Sequence, residues 1–210
     1  MIVKVCGVGS AAVADAAIEA GADWLGIVLV PRSPRHVDDE QARAVVAAVR
    51  GRADIIGVML DASAADCADA AARYRLAAVQ VHGSVAPDLA ERTPVPLVRA
   101  LNVRTAHAAL LDEWWPDCLV VLDSAPATDA QLPGGTGARV DVEVAAAVAR
   151  HRPLVLAGGL GPASVAEAIA AVRPHGVDAS SGLETAPGVK DVALVDAYVR
   201  AARTAFEALA

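Results

Sequence analysis

Rings are scarce in this chain: aromatic residues make up 3 % of its 210 positions. Aliphatic side chains must therefore do most of the packing, and at 55 % hydrophobic content there are enough of them to bury a substantial core. Cysteines are few and unmatched. Cys6, Cys67 and Cys118 form no CxxC pair and leave an odd one over, which excludes a disulfide framework and a structural zinc site and suggests a reducing compartment. Clustered positive charge is also missing. With a formal charge of -7 and no long basic block, a nucleic-acid surface is not expected. No apolar run reaches the roughly 18 residues of a membrane span, and no basic, apolar signal segment opens the chain, so a cytoplasmic protein without membrane attachment is expected.

What is present is an alternation of short aliphatic runs and Ala-rich amphipathic stretches. The strand-like runs are Ile2–Cys6, Trp24–Val30, Ile55–Leu60, Ala77–Val81, Leu97–Leu101, Cys118–Leu122, Leu154–Leu156 and Gly176–Ala179. Between and after them lie helical stretches at Ala11–Ala20, Asp39–Val49, Ser63–Tyr74, Val142–Ala149, Ser164–Val172 and from Asp191 to Leu209. Ser10, Asp39, Ser63 and Ser164 stand where N-caps are wanted, and Gly21 and Gly51 follow helix ends. Near-continuous aliphatic strands imply burial on both faces, hence a parallel sheet covered by helices. Such units along a chain of this length fit a single-domain α/β (β/α)₈ TIM barrel spanning residues 1–210. A doubly wound open sheet is the competing architecture.

In both architectures chemistry gathers where strands end and loops begin. Cys6 closes Ile2-Val3-Lys4-Val5-Cys6, and Asp123 follows Leu119-Val120-Val121-Leu122. A thiol and a carboxyl meeting there would form an acid/base pair. The turns Gly158-Gly159 and Ser180-Ser181-Gly182 follow the last two strands, where side-chain-free backbone can converge on a phosphate. Arg35, in a loop stiffened by Pro31 and Pro34, suits a bidentate grip on a carboxylate. Gly134-Gly135-Thr136-Gly137 reads as a mobile cover over substrate. Each motif has a plainer reading: a tight turn, a solvated basic loop, a packing cysteine. His82 alone reads as a hydrogen-bonded structural residue. A rival metal site would combine His36, Asp38, His82 and Asp178. Trp114-Trp115 and Cys67 read as packing.

Taken in order, the segments resemble the phosphoribosylanthranilate isomerase family. The likeness runs from Lys4-Val5-Cys6-Gly7 through Gly21-Ala22-Asp23, Ser33-Pro34-Arg35 and Gln80-Val81-His82-Gly83 to Leu122-Asp123-Ser124 and Gly134–Gly137. It closes with Leu156-Ala157-Gly158-Gly159-Leu160, Asp178-Ala179-Ser180-Ser181-Gly182 and Pro187-Gly188-Val189-Lys190-Asp191. The resemblance implies a (β/α)₈ barrel catalysing an Amadori rearrangement, with Cys6 as general base and Asp123 as general acid. It implies that Arg35 meets the substrate carboxylate and that Gly159, Asp178, Ser181 and Gly182 lie in the substrate- and phosphate-binding region. Neither a metal nor a cofactor is implied, because the imine nitrogen comes from the substrate. The expected partner is a small molecule bearing phosphate and carboxylate, bound by a monomer or homodimer. The chain departs from the family's aromatic habit: it has Ile27-Val28-Leu29 after strand two, His36 where tyrosine is frequent, and Val140-Asp141-Val142 after the glycine tetrapeptide. Two rival functions stand beside this one: another phosphosugar isomerase or epimerase on a barrel, and a barrel that binds a phosphorylated ligand without turning it over.

Overall fold

In the computed structural model, which describes residues 1–102, 118–123 and 141–209, eight parallel strands close on themselves in sequential order. They are β1 (Ile2–Cys6), β2 (Trp24–Val28), β3 (Asp54–Leu60), β4 (Ala78–His82), β5 (Leu97–Asn102), β6 (Leu119–Asp123), β7 (Leu154–Leu156) and β8 (Gly176–Ala179). Pairing of β8 with β1 completes the ring and excludes the open sheet. Helices α1 (Ala11–Ala20), α2 (Asp39–Val49), α3 (Ala64–Tyr74), α4 (Leu89–Arg92), α5 (Val142–His151), α6 (Val165–Val172) and α7 (Val192–Glu207) connect or follow the strands. A two-stranded hairpin, β9 (Glu184–Ala186) with β10 (Val189–Lys190), lies between β8 and α7. Among the described residues no helix is long and apolar enough to cross a membrane.

Each strand serves two cores because its side chains alternate. Val3, Val5, Leu25, Ile27, Val79, Val81, Val120 and Leu122 belong to the shell between barrel and helices. Ile56, Ala78, Val98, Val121 and Val155 form a separate cluster, with Ile2, Trp24 and Leu119 packed against it. A third small cluster joins Cys6, Val28 and Val58. Burying strands on both faces is what made them read as continuous aliphatic runs.

Boundaries differ from the sequence reading by a few residues, each for a local reason. The second strand ends at Val28 because Val30 already begins a turn, its carbonyl accepting from Ser33 N. The cap of α2 is Asp38, not Asp39. Asp38 is extended, its carboxylate accepts from Gln41 N at 2.8 Å, and the Gln41 side chain returns the bond. Asp39 is the first helical residue and instead pairs with Arg43 and Arg73. Ser10 and Ser63 do cap α1 and α3. Ser164 precedes α6, but its hydroxyl bonds to Gly161 rather than to the helix. Ahead of Gly51, Arg50 already takes the left-handed conformation that ends α2.

Candidate active site

The same alternation places the two candidate groups, Cys6 and Asp123. Leu119 and Val121 face the inner cluster, so Asp123, two residues further on, reaches the rim of the same face. On β1 the inward series is Ile2, Lys4 and Cys6. Cys6 and Asp123 both line one cavity, open to solvent at the C-terminal end of the strands. Val28, Leu60, His82, Arg35, Gly158, Gly159, Ser180 and Ser181 share its wall. Cys6 is only 8 % exposed, and its residue lines this cavity. Gly7 itself is in the left-handed region (φ 77°), which lets the chain leave β1 sharply.

Beneath the rim the barrel is polar. Lys4 Nζ lies 2.7 Å from Asp178 Oδ2, with the lysine fully buried. Burial alone would push Lys4 down, but the Asp178 carboxylate and the neighbouring Cys6 more than reverse it, and the ammonium stays charged. Burial pushes the Cys6 thiol up, and Lys4 and Lys190 pull against that shift. Burial likewise pushes the Asp178 carboxyl up, against the pull of Lys4. Asp178 Oδ1 is buried without a hydrogen-bond partner among the described residues, and its residue lines the cavity. Gly26 on β2 leaves room for this group: a Cβ there would lie 3.0 Å from Cys6 Sγ and 3.3 Å from Lys4 Nζ. On β4, Gln80 Nε2 and His82 Nε2 are 2.9 Å apart. Burial, then Lys4 and Arg99, lower the His82 pKa to about 4, so the ring is neutral near pH 7. Neutral, it accepts at Nε2 from the Gln80 amide and carries its proton on Nδ1.

Arg35 is held edge-on. Its Nε and Nη2 donate to Glu184 Oε1 and Oε2 at 2.7 and 2.8 Å, a bidentate pair across the β9 strand. Lys190 donates to the same Glu184 and to Ser180 O (3.2 Å) and Oγ (3.3 Å). Burial would raise Glu184, but the bonds from Arg35 and Lys190 override it and hold the carboxylate below its ordinary range. Arg32, by contrast, is exposed.

The glycine turns of the last two strands meet backbone to backbone. Gly158 and Gly159 have φ of 88° and 66°. A Cβ on Gly182 would come within 2.1 Å of Leu160 O, and one on Gly161 within 3.2 Å of Gly182 O. Gly159 and Ser181 line the cavity, whereas Gly182 stands behind the wall and lets the two loops touch.

The rival metal set is not assembled. Asp38 caps α2, Asp178 pairs with Lys4, and among the described residues no three His, Cys, Asp or Glu side chains are placed to hold a metal ion. Cys67 is a buried core residue, as read; Cys118 precedes β6 and is half-buried, not a strand residue. The glycine tetrapeptide Gly134–Gly137 and Trp114-Trp115 lie outside the described residues. Four residues bonded within or beside the site carry no role in the sequence reading: Lys4, Gln80, Glu184 and Lys190. A lysine and a glutamine at inward positions of apolar strands were the available signal for the first two.

Comparison with known proteins converges on one family. The family model described as N-(5'phosphoribosyl)anthranilate (PRA) isomerase matches residues 3–201. The N-(5'-phosphoribosyl)anthranilate isomerase of Azorhizobium caulinodans is 39 % identical over 97 % of this chain and 92 % of its own length. The crystal structure of phosphoribosyl anthranilate isomerase from Thermotoga maritima superposes with a TM-score of 0.83 at 31 % identity, covering 97 % of this chain and all of that one. A phosphoribosyl anthranilate isomerase solved in complex with reduced 1-(o-carboxyphenylamino)-1-deoxyribulose 5-phosphate gives 0.82 at 30 % identity, with the same coverage.

Proposed function

This chain belongs to the N-(5'-phosphoribosyl)anthranilate isomerase family, and from that premise we propose how its own residues carry out the Amadori rearrangement of N-(5-phosphoribosyl)anthranilate to 1-(2-carboxyphenylamino)-1-deoxyribulose 5-phosphate. The observation that supports the reading most directly is the opening of Cys6 and Asp123 into one cavity whose wall also carries Arg35 and the paired glycine turns.

The phosphate sits at the backbone of Gly159 and Ser181, with Gly182 allowing the two loops their close approach. The anthranilate carboxylate meets Arg35. Asp178 Oδ1 accepts a hydrogen bond from a sugar hydroxyl, which supplies the partner that this buried oxygen otherwise lacks. Asp123 then gives its proton to the furanose ring oxygen. The C1–O bond breaks as the nitrogen lone pair forms a C1=N bond, leaving a protonated Schiff base and a free hydroxyl at C4. That cation acidifies C2, and the Cys6 thiolate removes the C2 proton. The C–H electrons form C1=C2 while the imine electrons return to nitrogen. Ketonisation of the enol adds a proton at C1 and releases one from the C2 hydroxyl, giving the ketose. The amine nitrogen of the substrate thus supplies electrons for ring opening and takes them back when the C2 proton leaves.

The test is a fluorescence assay following loss of phosphoribosylanthranilate with the purified protein added. Turnover that persists at the wild-type level in both Cys6→Ser and Asp123→Asn would remove the assignment of the two groups. Binding of the reduced product analogue without turnover by the wild-type protein would favour the non-catalytic barrel instead.

A further inference from the structure

The hairpin β9–β10 has no part in the reaction as written above, yet its side chains bond to Arg35 and Ser180, which line the site. Lys190 has 1 % of its side-chain surface exposed and Glu184 has 4 %. Burying an ammonium and a carboxylate at these levels is costly unless each finds full partnership, and here each does. Lys190 donates to Glu184 Oε1, Ser180 O and Ser180 Oγ, so all three of its protons have acceptors. Glu184 takes Arg35 on both oxygens and Lys190 on one.

Each arm of this cluster leads to a different part of the reaction. In one direction Glu184 engages Nε and Nη2 of Arg35, so the guanidinium is fixed along one edge and, among the described residues, its Nη1 is left to meet a ligand carboxylate. In the other direction Ser180 Oγ, bonded to Lys190, donates to the carbonyl of Cys6 at 3.1 Å. The ammonium also lies against the turn that follows the thiol: a Cβ on Gly7 would be 3.1 Å from Lys190 Nζ and 3.2 Å from Arg35 Cδ. The hairpin is pressed onto the arginine's loop by Gly188, whose added Cβ would sit 2.2 Å from Pro34 O. Charge sums point the same way. Among the described residues, Lys4 pairs with Asp178 and Arg35 with Glu184, and Lys190 adds a second cation near the sulfur proposed to become an anion.

We infer that Lys190 is a positioning residue that joins carboxylate recognition to proton abstraction, holding Glu184 against Arg35 with one face of its ammonium and the Ser180–Cys6 turn with the other. This rests on the roles proposed above for Arg35 and Cys6. It makes the β9–β10 hairpin a determinant of preference for carboxylated substrates and, independently, of the reactivity of the base. The groups facing the Cys6 thiol are Lys4 on its own strand, Asp178 on β8 and Lys190 on β10, so loss of Lys190 leaves one cation where there were two.

The test uses Lys190→Met with two ligands: the reduced product analogue, and the same compound lacking the ring carboxyl. A second readout is the rate at which iodoacetamide modifies Cys6, followed by peptide mass spectrometry across pH. Lys190→Met is expected to weaken the carboxylated ligand about tenfold, the scale of one charge-assisted contact. The decarboxylated ligand should change by less than about twofold on the same reasoning. Alkylation of Cys6 should slow at each pH, its profile moving alkaline, and Lys190→Arg should restore both readouts in large part. Equal weakening of the two ligands, or an unchanged alkylation profile, overturns the inference. Should Lys190→Met fail to fold, Glu184→Gln tests the arginine arm and Ser180→Ala the cysteine arm by the same readouts. Arg35→Ala separates this inference from the reading beneath it. If that variant keeps full discrimination, the assignment of Arg35 is wrong. If it loses discrimination while Lys190→Met keeps it, only the coupling is wrong.

Discussion

Lys4 and Asp178 are register partners across the seam where β1 meets β8, and their side chains form a 2.7 Å ion pair inside the barrel. Closing the ring therefore also pairs the charges next to the Cys6 sulfur. Removing one partner leaves the other buried and uncompensated. Asp178→Asn should lower unfolding stability by about 3 kcal/mol in urea titrations, whereas Lys4→Met with Asp178→Leu should recover most of that loss. A single replacement as stable as wild type would show that the pair is not charged.

Cys6→Ser and Asp123→Asn should each reduce kcat by roughly 10² to 10⁴, the usual worth of positioned acid or base groups. Thermal midpoints should stay close to wild type, because both side chains face the cavity rather than the helix-covered core. A variant that loses activity only in proportion to its loss of folded protein would contradict this.

The pH dependence follows from the thiol. Burial holds Cys6 protonated above the ordinary thiol range, and in the proposed mechanism the base is the thiolate. kcat/KM should therefore climb with pH, its acidic limb lying on the alkaline side of a free cysteine's. Lys4→Met removes one cation that opposes the shift and should move the limb further up. A profile flat from pH 7 to 10 would be incompatible with Cys6 acting as the base in the free enzyme.

His82 predicts a stability effect at acid pH. Its pKa is lowered from 6.5 to about 4, so the unfolded chain binds more protons than the native one between those values. Stability is then full above pH 6.5 and is lost as pH falls through the window to 4. Because the ring keeps some solvent contact, the loss should be about 2 kcal/mol, less than the whole shift would give. His82→Asn should flatten that part of the curve in chemical denaturation measured from pH 7 to 4.

Two glycines can be tested for their missing side chains. Gly26→Ala would crowd Cys6 Sγ at 3.0 Å and should cost about tenfold in kcat with little change in KM, given the sensitivity of catalysis to small displacements. Gly182→Ala sets a methyl group 2.1 Å from Leu160 O, which neither loop can absorb without shifting. It should raise KM by about tenfold through the phosphate, a loss on the scale of one charge-assisted contact. Phosphate-ion inhibition should weaken in parallel.

The barrel was legible because burial on both faces writes itself into each strand as an unbroken aliphatic run, and because serines and aspartates mark helix starts. Ends were less legible: Asp38 and Asp39 are chemically the same cap, and only the backbone at Asp38 decides between them. Cys6 and Asp123 were singled out from position alone, since they finish apolar runs, and both line the one cavity. Their supporting residues were not. Lys4 and Asp178 are 174 positions apart, Arg35 and Glu184 are 149 apart, and nothing local announces that ring closure will bring them together. A lysine inside Ile2–Cys6 has the same appearance in sequence whether it points at water or at a buried carboxylate.

The thread from Ser180 to the Cys6 carbonyl spans nearly the whole polypeptide. During synthesis the sulfur leaves the ribosome long before the lysines' counterparts and the hydroxyl that will steady it have been translated. A nascent chain thus carries a dormant thiol, and the enzyme would acquire its competence only with the last segments in place. Fragments that omit the hairpin should fold poorly as catalysts even where they keep every group that touches the sugar.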